Sequence, residues 1–313
     1  MKKILSIVIF LFGAIANSFA QDSTDLMSML QKDPKRINYT TATFKSTRVI
    51  TGHSVENIGR GVLDVRILHR FGPLNLGLYD FFGIDYASMR MGFDYGITKN
   101  IMAGIGHSTW QKTYDAFVKV KILRQSAGKV NMPVTLSFLS TVAIRSDKLQ
   151  LDTNKNRILV GIGDRTSYVE QLIIGRKFSK SFSLQLMPTF IFHHNRVDSI
   201  NAYTKNKNNI LTGQRRKNTF AIGIAGRLKV SKRISINAEY YYQLPDAKPY
   251  RYFNSLSLGV DIETGGHVFQ IHLTNSNGMT EKSYITDTDD KWSKGYIRLG
   301  FNISRVFTLK RYN

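Results

Sequence analysis

Seven histidines offer this chain its nearest approach to metal or hydrolytic chemistry: His53, His69, His107, His193, His194, His267 and His272. The pair in "FHHN" (192–195) and the histidine of "GGH" (265–267) are ligand types for zinc or iron. Adjacent strand residues point to opposite faces, so the pair cannot close on one ion without a bend. In "IGHST" (105–109) and "TGHS" (51–54) a serine follows a histidine, Ser108 after His107 and Ser54 after His53. A hydrolase needs nucleophile, base and orienting group in mutual reach, and adjacent strand positions diverge. The glycines of "MAGIG" (102–106) and "GIGDRT" (161–166) lack the lysine and the strand-to-helix context of a phosphate-binding loop. These motifs therefore imply no enzyme, no metal and no cofactor.

A second polar set carries more information. Asp64, Asp94, Asp115, Glu239 and Asp261, with Arg66, Arg90, Lys119, Lys121, Arg227, Lys229 and Arg298, all fall on the polar phase of alternating runs. In "LDVRILHR", Leu63, Val65 and Ile67 oppose Asp64 and Arg66. In "YDAFVKVKIL", Tyr114, Ala116, Val118, Val120 and Ile122 oppose Asp115, Lys119 and Lys121. Period 2 places such charges on one face of a sheet. Two readings of the set stay open: a charged pore lining, or a network of paired charges that fills an interior and fixes it.

The elements that would carry these charges are strands. About twelve segments have strand character, near 61–70, 87–97, 100–109, 113–124, 132–144, 167–178, 181–193, 218–229, 233–243, 253–263, 267–276 and 295–307. Many have the length of a tilted strand crossing a bilayer, about ten residues. The register of 132–144 and 167–178 is ambiguous. Connections "TKN" (98–100), "SK" (179–180), "SKR" (231–233) and "TGG" (264–266) are very short, whereas 71–86, 145–166, 194–217 and 277–294 are long. Only "WQK" (110–112) breaks the alternation of short and long. Short turns at one end and long loops at the other mark an outer-membrane barrel, with the long loops outside. The expected fold is an all-β, antiparallel up-and-down transmembrane barrel of about twelve strands, twelve to fourteen at most.

The opening MKKILSIVIFLFGAIANSFA has a charged start, an apolar stretch and Ser18-Phe19-Ala20. It reads as a signal peptide over 1–20. No later segment reaches the ~20 apolar residues of a membrane helix. With no cysteine in the chain, no disulfide framework exists. Net charge is +22. Export argues against nucleic acid, and the basic loop "TKNKNNILTGQRRK" (204–217) lacks aromatics to stack bases. Outer-membrane lipid and anionic lipopolysaccharide are the expected partners; oligomeric state is not readable. Tyr79, Phe81 and Phe82, Tyr240 to Tyr242, Tyr250, Tyr252 and Phe253, and Phe178 with Phe182 are candidates for girdles at the lipid headgroups. Residues 21–60 precede the barrel of 61–313. In them "DLMSMLQ" (25–31) suggests a short helix and "TTATFKSTRVI" (40–50) an extra strand, and the whole segment either plugs the lumen or extends the wall.

At "ATFKSTRVITGHSVE" (42–56), "HRFGPLN" (69–75) and "FFGIDYASMRMGFDYGIT" (81–98) the chain resembles a known family. The likeness continues through "YDAFVKVKILRQ" (114–125), "SKRISINAEYYYQLP" (231–245), "DIETGGHVFQIHLTNSNGMTE" (261–281) and "GFNISRVF" (300–307). It resembles the membrane-bound β-barrel family of unassigned function from Gram-negative bacteria, over roughly residues 40–309. Loops 145–166 and 194–217 contain none of these motifs. The resemblance implies an outer-membrane barrel and brings no catalytic residue, substrate or cofactor. The function expected is a channel or transport pore for small solutes, anions among them. The alternative is a non-conducting structural or assembly barrel that partners a periplasmic protein.

Overall fold

Twelve strands pair in chain order, and the last closes on the first. They are β1 (Val62–Pro73), β2 (Ala87–Gly96), β3 (Ile101–Ser108), β4 (Thr113–Leu123), β5 (Thr135–Arg145) and β6 (Thr166–Lys177). The second half comprises β7 (Phe182–His193), β8 (Thr219–Lys229), β9 (Ile234–Gln243), β10 (Ser255–Thr264), β11 (His267–Thr274) and β12 (Arg298–Thr308). Every pairing is antiparallel, including β12 with β1, which leaves no open sheet edge. The computed structural model describes residues 36–147, 162–193, 204–205, 211–212, 218–245 and 252–311. The expected signal peptide, the helix over 25–31, His194, Tyr250 and most of loops 145–166 and 194–217 lie outside the described residues.

The apolar phase of the strands is the exposed one. Ile105, Val118, Phe220, Ile222, Ile224 and Ile271 are about half exposed, while their chain neighbours Gly104, Lys119, Ala221, Gly223, Ala225 and Gln270 are buried. In a water-soluble protein this pattern would be inverted; in a bilayer it puts hydrocarbon against hydrocarbon and hides the polar phase inside. Cross-strand partners fix the two ambiguous strands: Leu139 lies opposite Gln171 and both point inward, whereas Phe138 opposite Leu172 points out.

Three of the short turns share one device. The hydroxyls of Thr98, Ser179 and Ser231 each accept two backbone N–H groups, those of Asn100 and Ile101, Ser181 and Phe182, and Arg233 and Ile234. A lysine follows each hydroxyl: Lys99, Lys180 and Lys232. Short Ser and Thr side chains can satisfy backbone donors that a two- or three-residue turn leaves without a ladder partner.

Residues 40–50 form no strand of the wall, which corrects the expectation of an extra one; they run inside the barrel. A separate short pairing joins Ile37–Tyr39 to Ser126–Gly128. The girdle assignment also needs correction at two rings. Tyr241 points inward and is fully buried, and Tyr252 is buried, while Tyr79, Phe81, Phe82, Phe178, Phe182 and Tyr242 are exposed.

Candidate functional site: the barrel lumen

The lumen is occupied by the chain itself. Residues 40–61 enter at the short-turn end, climb to mid-barrel, reverse at Thr51-Gly52 and return to β1. Both limbs are tied at that end. Lys177 donates to the Thr41 carbonyl at 2.9 Å, Lys45 pairs with Glu263, and Asn57 donates to the Asn100 carbonyl at 2.8 Å. The reversal is a tight hairpin in which Val49 N–H donates to the Gly52 carbonyl at 2.8 Å and Ser54 N–H to the Thr47 carbonyl at 2.9 Å. A turn this tight leaves its outer amides without partners. Glu239 of β9 supplies one acceptor for all of them: the N–H groups of Ile50, Thr51 and Gly52 reach its carboxylate at 3.2, 2.9 and 3.2 Å.

A second segment descends from the other end. The connection after β11 was expected to face outside, but residues 276–288, all buried except half-buried Asn277, lie within the barrel, and they include helix α1 (Glu281–Thr286). Its polar groups find partners there: Lys282 pairs with Asp287, the Ser276 hydroxyl reaches the Gly278 carbonyl at 3.5 Å, and Asn275 ties the base to the Asn254 and Asp290 carbonyls. Tyr284 then meets Tyr241 with hydroxyls 3.4 Å apart. The two insertions touch where His53 Nε2 stands 3.5 Å from Glu281 Oε1.

The sequence-predicted charges take up the following places. Asp64 and Asp94 lie directly opposite on β1 and β2. Two carboxylates so placed repel, and arginines separate them: Arg66 Nε is 2.8 Å from Asp64 and 3.6 Å from Asp94, and Arg48 of the hairpin is 3.5 Å from Asp94. Arg90 binds Asp115 through both carboxylate oxygens, at 2.9 and 2.5 Å. Asp261 accepts from Gln270 at 2.5 Å. Arg227 donates to Ser235 and to the hairpin carbonyls of Ala42 and Thr43. Lys119 donates to the hairpin carbonyls of Ser54 and Glu56, at 2.9 and 2.5 Å. Nearer the short-turn mouth, Lys121 is 3.9 Å from Glu56 and Lys229 is partly buried; at the far mouth Arg298 pairs with Asp290 at 2.6 Å.

The sequence reading left out several lumen groups. Arg70 continues the polar phase of β1; it donates to Thr51 of the hairpin at 2.8 Å and to Asn302 at 3.1 Å. More consequential, the inner surface is not polar all round. Met102, Phe117, Leu139, Val169, Ile173, Met187 and Ile191 point inward from β3 to β7 and pack with Phe44, Val49, Ile50 and Val55 of the hairpin. The signal was present in "DAFVKVK", where Phe117 sits in phase with Asp115 and Lys119. The lumen thus has an apolar sector over β3–β7 and a charged sector over β10–β2, and the hairpin presents a matching face to each.

His53 is fully buried at the junction. Arg48 can only donate, so the 2.6 Å contact from Arg48 Nη1 makes His53 Nδ1 an acceptor and leaves the proton on Nε2, facing Glu281. Burial, then the Arg48 and Lys119 cations, holds this imidazole well below its ordinary pKa; burial likewise raises the Glu281 carboxyl despite Arg48 and Arg90. The serine–histidine neighbours diverge, with His107 tilted against Tyr114 on the outer face, ring centroids 4.5 Å apart, and Ser108 buried inside. Ser54 donates to the Ser46 carbonyl, away from His53. Among the described residues no three His, Asp or Glu side chains gather as metal ligands.

Residues 44–307 match the family model "Membrane bound beta barrel domain (DUF5777)". The chain belongs to this family. The DUF5777 barrel is therefore a membrane-bound one, in keeping with its apolar outer face. Its fold is similar to that of solved porins at low identity. The NanC porin is 11% identical with a TM-score of 0.44, covering 78% of this chain and 98% of that one. An outer-membrane channel from Pseudomonas putida F1 is 11% identical with a TM-score of 0.47, covering 81% and 98%. The KdgM porin is 10% identical with a TM-score of 0.43, covering 79% and 99%. No curated protein matches the DUF5777 chain.

Proposed function

We propose that this barrel is an outer-membrane channel for small solutes, closed at rest by its N-terminal hairpin and opened when the hairpin withdraws toward the short-turn end. The observation that carries the reading is how the hairpin is held. Its polar ties to the wall are side-chain hydrogen bonds, from Glu239, Lys119, Arg70 and Arg227, and ion pairs such as Arg48 with Asp94, with no strand pairing between hairpin and wall. Water can replace such partners, so a polar half-lumen rewets at modest cost, whereas a ladder would not let go. Both limbs leave by the short-turn end, which sets the direction of withdrawal. Short turns face the periplasm in outer-membrane barrels, and a basic outer end suits lipopolysaccharide.

The second reading is a non-conducting barrel partnered by a periplasmic protein. It is favoured by the apolar cluster around Phe44, Val49, Ile50 and Val55, which packs like a protein core. Gly52 discriminates between the two. A Cβ there would overlap the Tyr241 hydroxyl and lie 3.2 Å from that of Tyr284, so Gly52→Leu cannot seat the tip. In planar bilayers the wild type should show rare openings, and Gly52→Leu long ones. A folded, heat-modifiable Gly52→Leu barrel that stays silent would establish the non-conducting reading instead.

A further inference from the structure

The hairpin is a built-in occupant, and the wall groups that grip it define what can take its place. Lys119 is the most telling of these. It is fully buried in the apolar sector, with Met102 and Leu139 as its cross-strand partners on β3 and β5 and Phe117 two residues before it. Among the described residues it forms no ion pair. Its ammonium instead donates to two hairpin carbonyls, those of Ser54 and Glu56. A buried charge must be paired or fully hydrogen-bonded, and here the hairpin supplies the oxygen atoms. The same hairpin packs apolar surface into this sector with Val55, between the two carbonyl residues, and His53, whose ring meets Phe117 edge-on at 4.5 Å.

Withdrawal of the hairpin therefore uncovers a cation without oxygen partners, framed by apolar side chains. Water satisfies the ammonium but not the frame, because exposing large apolar side chains to water is unfavourable. A molecule with an anionic head and an apolar body satisfies both at once. We propose that Lys119, with Met102, Phe117 and Leu139, forms a binding site for amphipathic anions, alkyl carboxylates being the simplest class, and that such an anion competes with the hairpin for the lumen. The proposal rests on the gated-channel reading, because the site is covered while the hairpin is seated. Arg90 is not an equivalent anchor, since Asp115 already holds it through two oxygens, and Arg70 lies in the charged sector beside Asn302.

The chain's lack of cysteine makes the test direct. Full-length Val55→Cys in proteoliposomes is treated with a membrane-impermeant maleimide, alone and with octanoate, acetate or octyltrimethylammonium. Octanoate should accelerate labelling several-fold, and the other two should not. In the Lys119→Gln background the octanoate response should vanish, whatever the basal rate. Equal acceleration by octyltrimethylammonium would remove the anion from the proposal, and equal acceleration by acetate would remove the apolar body. A basal rate that octanoate leaves unchanged sinks the site and leaves the gate standing. No labelling under any condition, in the Gly52→Leu background as well, sinks the gate and the site together.

Discussion

Val55 of the inner hairpin and Gly175 of β6 stand face to face: a Cβ on Gly175 would lie 3.4 Å from that of Val55. The glycine is what lets the hairpin press against the wall, because the valine methyl carbons fill the space a side chain there would need. The spacing is close to the ~3.5–4.5 Å between Cβ atoms of a disulfide. The double variant Val55→Cys, Gly175→Cys should therefore crosslink spontaneously. Oxidised, it should show no openings in a bilayer; a reductant should restore wild-type current. Undiminished current through a fully crosslinked barrel would show that the hairpin is not the gate.

Glu239 holds three consecutive amides through one carboxylate. Hydrogen bonds to a charged partner contribute about 1.5–3 kcal/mol, against about 1 for neutral ones. Glu239→Gln keeps one acceptor oxygen and loses the charge. The hairpin should then unseat roughly tenfold more often, at 1.4 kcal/mol per decade, measured as the labelling rate of Val55→Cys. An unchanged rate would mean the tip is held by packing alone.

Acid should loosen the hairpin through His53. Its folded pKa lies below its ordinary value of 6.5, chiefly from burial and then from the cations Arg48, Lys119, Arg66 and Arg90. A histidine depressed in this way contributes stability that is complete above about pH 6.5 and is lost as pH falls toward the folded value. Glu281 has the opposite sign: its raised pKa favours the seated state at low pH and penalises it as pH rises above 4.5. The prediction is that acidification from pH 7 to pH 5.5 shifts open probability further toward open in the wild type than in His53→Gln. Persistence of the full pH response in His53→Gln would assign it to another group.

Converting Lys119 and Lys121 together to Glu changes the lumen charge by four and also turns a carboxylate toward the Ser54 and Glu56 carbonyls that Lys119 now serves. Rings of basic residues favour anions in a pore. The double variant should open more often than wild type and should reverse the sign of the reversal potential in a salt gradient. Selectivity that ignores the change would place these lysines off the conducting path.

Topology can be read on intact cells. A tag inserted at Asn208 should be labelled from outside, and one at Lys232, in a short turn, should not. The reverse labelling would invert the proposed direction of hairpin withdrawal.

The strands and their facing were legible in the chain because both depend on local alternation. Leu63, Val65 and Ile67 against Asp64 and Arg66 need only the period of two and a bilayer outside. The short turns were legible too, since Thr98, Ser179 and Ser231 act within two or three residues. What fills the barrel was not legible. Residues 40–59 carry β-branched residues that suit a strand as well as a plug, and α1 is a polar hexamer, EKSYIT, with no local reason to be buried. Their placement depends on partners far away in sequence: Glu239 for the amides of 50–52, Lys119 for the carbonyls of 54 and 56, and Gly175 for Val55. The charges of β1, β2 and β4 were visible as a set, but whether Asp94 faces water or Arg48 is decided only when a segment 46 residues earlier in the chain folds back beside it. Alternation records which side of a strand is inside; only closure of the barrel decides what the inside contains, because that rests on contacts between residues whose spacing carries no period.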